Sequence, residues 1–251
     1  MVARRFLLLF MLLSLFVILA GCKDDIYSAS EKGKSDTLKL LISEGHDINK
    51  RNRKGKLPIF FAIQNGQIDI VKILIENGAD LTLQDQYAGA PLHNAAFIGD
   101  IEIAKLLLAA GADINAISKR TEYTPICYAV IRGKVEMLKF LLEKGADTNI
   151  KMGYYESTLL HVSVANISNP METTKILLDI GTDVNALDKK GKTPLHVVAC
   201  SIWTGPKTAN MARLLIDRGA RKELKDNEGK TALDYARVKN KIEVIQILDE
   251  K

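Results

Sequence analysis

Apolar residues along this chain come in short blocks with helical spacing, separated by polar and glycine-bearing stretches. Residues 101–109 place Ile103, Leu106 and Leu107 on one stripe, while Lys105 falls on the outer face, so the block is predicted to be an amphipathic helix. A basic residue occupies the same place in each block: Lys39, Lys72, Lys105, Lys139, Lys175 and Arg213. A glycine follows six residues later each time, at Gly45, Gly78, Gly111, Gly145, Gly181 and Gly219. Both series advance by 33, 33, 34, 36 and 38 residues, a period that predicts an array of stacked repeats. A third landmark is Pro58, Pro91, Pro125, Leu159, Pro194 and Ala232, where a first, shorter helix begins. Thr193 can cap such a helix through its hydroxyl, and Pro194 suits the first helical position, where no N–H partner is needed. Gly99 or Gly133 closes the first helix, and Gly111 ends the second in a left-handed conformation. The segment from Asp113 to Tyr123 then projects as a β-hairpin finger. No single repeat can bury its own apolar face, so stability must come from neighbours.

The words at these landmarks are Ala90-Pro91-Leu92-His93, Thr124-Pro125-Ile126-Cys127 and Thr193-Pro194-Leu195-His196, with Ala79-Asp80, Ala112-Asp113 and Ala146-Asp147 after the glycines. Over about residues 24–251 the pattern resembles the ankyrin repeat. The resemblance implies an all-α repeat solenoid of helix–turn–helix units with β-hairpin fingers. It also implies binding of protein partners by finger tips and the first-helix surface on the concave side. Repeats are placed at 26–51, 52–84, 85–117, 118–150, 151–187, 188–225 and 226–251. The first, with Tyr27, Ser28 and Ser30, and the last, with Gln246, Asp249, Glu250 and Lys251, read as polar caps. Leu57, Leu159, Ala232 and Arg221 depart from the consensus. From glycine to Pro position the spacing is 13, 13, 14, 14, 13 and 13, so the third and fourth fingers are one residue longer. The loops inside the fifth and sixth repeats, around residues 166–173 and 201–208, are longer as well, and the second holds the only tryptophan, Trp203.

The amino terminus has a different pattern. Arg4 and Arg5 precede an apolar run over residues 6–20, too short for a stable bilayer span and suited to a signal h-region. Leu19-Ala20-Gly21-Cys22 resembles a bacterial lipobox. The resemblance implies removal of residues 1–21, acylation of Cys22 and a short tether over 22–25. Several acyl chains, at about 0.8 kcal/mol per buried methylene, anchor nearly permanently. By the family's rule, Lys23 after that cysteine implies the outer membrane, with the protein facing the periplasm.

Composition narrows function further. Of 251 residues, 47% are apolar and 26% charged, which fits a folded domain and excludes a disordered chain. The net charge of +5 falls to +3 without Arg4 and Arg5, too little to argue for nucleic acid. Seven repeats occupy nearly everything after residue 21, which leaves no room for a separate catalytic domain. Cys127 and Cys200 lie two repeats apart, beyond disulfide reach, and read as small buried apolar residues. His93, His161 and His196 recur at one repeat position, which Cys127 also occupies, and equivalent atoms of successive stacked repeats lie about 8–10 Å apart. Zinc needs ligands near 2 Å from one point, so these imidazoles are expected to bond finger backbone instead. Asp80, Asp113 and Asp147 read as turn caps. No catalytic residue, metal site or cofactor is expected.

Partner binding is expected at the fingers. Tyr87, Tyr123, Tyr154 and Tyr155 lie on three consecutive ones, and tyrosine brings large area with few rotors. The first finger, residues 50–56, holds five basic residues in seven, among them Arg51, Arg53 and Lys54. It suits anionic headgroups, at about 1 kcal/mol per contacting charge, or an acidic partner surface. The expectation is a non-enzymatic, monomeric, lipid-anchored module that binds a protein in the cell envelope. Its sharper form is an immunity protein neutralising an envelope-targeting toxin such as a secreted phospholipase. A structural spacer is the remaining alternative.

Overall fold

The computed structural model describes residues 24–85, 89–165 and 170–250. Among these residues the chain is all-α, with fourteen helices in seven pairs. They are α1 (Ile26–Glu31), α2 (Ser35–Ser43), α3 (Pro58–Gln64), α4 (Ile68–Glu76), α5 (Pro91–Ile98), α6 (Ile101–Ala109) and α7 (Pro125–Ile131), followed by α8 (Val135–Glu143), α9 (Leu159–Ala165), α10 (Pro170–Asp179), α11 (Pro194–Cys200), α12 (Pro206–Asp217), α13 (Ala232–Val238) and α14 (Ile242–Asp249). The described residues divide into two compact bodies, one ending at Ala79 and the other beginning at Asp80.

In the first body α1 packs on α3 and α2 on α4, around Leu38, Phe60, Ile63 and Leu74. In the second, the first helices of successive repeats stack from α5 to α7, α9, α11 and α13, and the second helices line up alongside. Ile103, Leu107, Leu138, Leu141 and Leu215 are fully buried, each contributing about 1.5–3 kcal/mol by transfer from water. On the outer face the lysines that interrupt the apolar runs stay exposed and pair within their own turn, Lys105 with Glu102 at 2.7 Å and Lys139 with Glu136 at 3.0 Å.

Helix entries follow the predicted chemistry. Proline opens α3, α5, α7 and α11, and the Thr193 hydroxyl accepts the His196 N–H. At α9, where Leu159 replaces proline, Thr158 still binds His161 through both its N–H and its hydroxyl. Gly111 has φ +90° after α6, and a Cβ placed there would meet nothing within 4 Å, so backbone conformation and not crowding is what calls for glycine.

The fingers differ from the hairpin expectation. Among the described residues no strand forms, and Met152–Ser157 is the one antiparallel bridge. Five fingers are tight turns shut by a backbone bond, Asn52 to Lys56, Ser118 to Tyr123, Met152 to Ser157, Asp188 to Lys192 and Asp226 to Lys230, and the Asp85 N–H likewise donates to the Gly89 carbonyl. Four or five residues leave room for one rung, which is too few for a ladder. The third and fourth turns are the longer ones, as their spacing predicts. Glu122 and Glu156 there adopt left-handed φ of 60° and 51°, where Gly55, Gly191 and Gly229 serve in the shorter turns.

Two smaller expectations change. Ser30 is fully buried, its hydroxyl donating to the Ile26 carbonyl, so it is part of the core of the first repeat. Cys200 is only half-buried, because it ends α11 beside the long loop, whereas Cys127 is buried. Both are free thiols.

Candidate partner-binding surface

The fingers are held by an interlocking polar frame. In the turns at 52–56, 188–192 and 226–230, a side-chain oxygen at the entry accepts two amides further along: Asn52 Oδ1 from Lys54 and Lys56, Asp188 Oδ1 from Lys190 and Lys192, Asp226 Oδ1 from Glu228 and Lys230. Histidines then join neighbouring repeats. His93 Nε2 donates to the Tyr123 carbonyl (3.0 Å), His161 to Lys192 (2.8 Å) and His196 to Lys230 (3.1 Å), while each Nδ1 accepts an amide at the start of its own helix. Burial lowers the basicity of all three imidazoles. They are therefore structural fasteners, as their spacing predicts. Asp80, Asp113 and Asp147 accept amides two residues ahead, and so cap turns. Among the described residues no three His, Cys, Asp or Glu side chains converge in a way that could hold a metal ion.

On this frame sits an exposed aromatic and cationic cluster. Tyr154 is 78% exposed and Tyr155 49%, with ring centroids 5.4 Å apart in an edge-on arrangement. Lys189 Nζ lies 4.5 Å from the Tyr154 centroid, and Lys190 Nζ 4.6 Å from that of Tyr155. Each such contact contributes about 0.5–1 kcal/mol at an exposed site. The backbone fixes the pairing, since the Lys189 N–H donates to the Tyr155 carbonyl at 2.8 Å. Asn227 in turn donates to the carbonyls of Lys190 and Lys189, which steadies the lysine-bearing finger from its other side. The chemistry this tip offers is flat π area plus two donors, suited to a partner surface with apolar and carboxylate groups.

Lys189 and Lys190 do not stand out in the sequence as part of this site. Their signal is register: they stand 35 residues after Tyr154 and Tyr155, close to one repeat further on, in a turn that carries three lysines. Tyr123 is placed differently from Tyr154. It is half-buried, stacked edge-on against Tyr128 at 5.8 Å, and a Cβ at Gly153 would lie 3.6 Å from its hydroxyl. Tyr87 and Cys22 lie outside the described residues.

The first body carries the basic finger. Arg51, Arg53 and Lys54 are exposed, and Arg51 also donates to the Gly55 carbonyl at 2.8 Å. With Tyr27, Glu44 and Asp47 they line an open groove of about 1090 Å³. Tyr27 anchors the finger by donating to the Lys50 carbonyl and stacking on Phe61 at 5.9 Å. The groove thus carries both signs of charge, and its cations are concentrated on the turn.

A family model described as ankyrin repeats (three copies) matches residues 26–118, 92–188 and 160–251. The chain is 38% identical over 88 residues to putative ankyrin repeat protein L86 of Acanthamoeba polyphaga mimivirus, a match covering 35% of this chain and 15% of that protein. It is 32% identical over 93 residues to putative ankyrin repeat protein FPV219 of Fowlpox virus, covering 36% of this chain and 20% of that one. These matches thus span a fifth or less of the curated relatives' length. Among solved structures, the human ASB11 ankyrin repeat domain is similar with a TM-score of 0.75 and 26% identity, over 91% of this chain and 99% of that one. The ankyrin repeat domain of Bcl-3 shares the fold with a TM-score of 0.75 at 24% identity, over 90% and 99%.

Proposed function

Because this chain belongs to the ankyrin-repeat family, whose domains mediate protein–protein interaction, we propose that it is a non-enzymatic binding module that engages a protein partner through its fingertips and first-helix face. The observation that carries this reading is the Tyr154, Tyr155, Lys189 and Lys190 cluster, displayed on fingers whose frame is already ordered. Preorganisation lowers the entropic cost of binding. Exposed Arg51, Arg53 and Lys54 supply a second, electrostatic contact to an acidic surface or to anionic headgroups.

The setting belongs to the same proposal. The apolar run at residues 6–20 and the Leu19-Ala20-Gly21-Cys22 word support a lipid anchor on Cys22 in a bacterial envelope, with Lys23 favouring the outer membrane. Metabolic labelling with palmitate tests the anchor: incorporation lost in Cys22→Ser supports it, and label unchanged in that variant refutes it. For binding, affinity purification from intact envelopes is expected to recover a stoichiometric protein with the natural chain and to lose it with the Tyr154→Ala, Tyr155→Ala pair. Equal recovery by both would remove the tyrosines from the interface. The sharper form is neutralisation of an envelope-attacking enzyme, to which a stiff aromatic tip is suited. It requires that the natural chain, and not the tyrosine pair variant, rescue cells from that enzyme.

A further inference from the structure

The sixth and seventh repeats present a second exposed apolar surface, away from the fingers. Helix α11 begins beside the finger at 188–192 and ends at Cys200, so the loop that follows it lies at the far end of the helix pair. That loop exposes Ile202 (82%) and Trp203 (42%). The corresponding turn of the last repeat exposes Val238 (76%) and Ile242 (59%).

The two turns are neighbours because α11 packs on α13 and α12 on α14. A buried lysine locks them together. Lys241 Nζ donates to the Val198 carbonyl at 2.9 Å and to Ser201 Oγ at 2.7 Å, so its ammonium caps the carboxyl end of α11 from the next repeat. Ser201 also donates to the Val198 and Trp203 carbonyls, which fixes the backbone that presents the indole. The result is an exposed apolar tip built from two loops. Large apolar side chains held this far into water on adjacent turns mark an interaction surface.

We propose that this tip docks on an anionic lipid bilayer, with Ile202, Trp203, Val238 and Ile242 entering the interfacial zone. Charge and the indole together argue for lipid. The segments that bear these residues carry exposed Lys207 and Lys239, with Glu243 as the unpaired acid nearest in sequence, and Arg237 already neutralised by Asp249 at 3.2 Å. Cations around an apolar tip complement anionic headgroups while the aliphatic groups leave water. Tryptophan is the residue favoured at that depth, since one end of the indole is apolar and the other donates a hydrogen bond. The proposal stands whether or not Cys22 is acylated.

Trp203 is the only tryptophan in the chain, so its emission reports on this tip alone. The full chain is reconstituted with phosphatidylcholine vesicles containing or lacking phosphatidylglycerol, with acyl chains brominated near the headgroup. Emission is expected to shift to the blue and to be quenched in the anionic vesicles. The exposed-site pair Ile202→Ser, Val238→Ser is expected to abolish quenching with an unchanged urea midpoint. The pair Lys207→Glu, Lys239→Glu should raise the anionic lipid fraction needed for half-maximal quenching by roughly fivefold or more. An unquenched Trp203 in anionic brominated vesicles overturns the proposal, as does quenching that ignores both variant pairs. A blue shift produced by an envelope protein, with vesicles silent, assigns the tip to protein docking and overturns it too.

Discussion

The finger at 152–157 and its neighbours at 118–123, 188–192 and 226–230 occupy equivalent places but are fastened differently. Each of the latter three receives an imidazole from the preceding repeat, donated by His93, His161 or His196 to its last carbonyl. The repeat before 152–157 has Cys127 at that position. Its thiol is shorter than an imidazole and stays at home, 3.3 Å from the Thr124 hydroxyl, and burial pushes its pKa up. The unfastened finger closes on itself instead, with Met152 and Ser157 exchanging both backbone bonds, and leans forward through the Tyr155 carbonyl onto Lys189. Among the described residues it is also the finger with the two most exposed tyrosines. Equivalent slots in a repeat array therefore carry different duties: three are braced from behind, and one trades that brace for exposed aromatic area supported from ahead.

That contrast can be broken most severely at a brace. His161→Ala leaves the Lys192 carbonyl and the Thr158 amide without their imidazole partner in a buried place. It should destabilise the second body by roughly 2–4 kcal/mol in urea unfolding. A cost near zero would mean that the imidazole bonds do not brace the stack. At the unbraced finger the Tyr154→Ala, Tyr155→Ala pair should do the reverse, leaving the unfolding midpoint in place while partner affinity falls about 10–100-fold in a binding titration.

Acid should separate the two kinds of junction more gently. Burial holds His93, His161 and His196 below the ordinary histidine value of 6.5, so between the two values the unfolded chain binds more protons. Stability is then full above about pH 6.5 and is lost as pH falls through that window. His161→Gln should flatten the slope, whereas Cys127→Ser should leave it alone. Equal slopes for all three proteins in pH-dependent denaturation would remove the histidines as its source. The smallest change builds a brace where none exists. Cys127→His should gain about 0.5–1.5 kcal/mol and slow amide exchange at Met152 and Ser157, if the new imidazole reaches the Ser157 carbonyl.

Much of this surface can be read without coordinates. The recurrence of Thr-Pro-Leu-His and Gly-Ala-Asp words located the helix entries, the turn-capping aspartates and the histidines' structural duty. Each of those depends on chemistry within a few residues or on register one repeat away. The one-residue excess in the third and fourth fingers was countable from glycine to helix start. By contrast, Tyr123 and Tyr154 look alike in a string of letters, and only packing shows one ring stacked on Tyr128 and the other facing water. Lys189 and Lys190 become part of the tyrosine cluster because a backbone bond sets two fingers side by side.

The sequence by itself determined the period, the helix pairs, the length of each turn and the residues that cap them, since all of these follow from short-range bonding and the burial of one apolar stripe. Tertiary structure decided which side chains meet across repeats. It alone placed a lysine over the rings of Tyr154 and Tyr155, set Lys241 against the end of α11 and tied the loop that bears Ile202 and Trp203 to the turn that follows Val238. Those pairings are separated by roughly 35 to 43 residues along the chain. They are fixed by the way apolar faces stack, which no local pattern encodes.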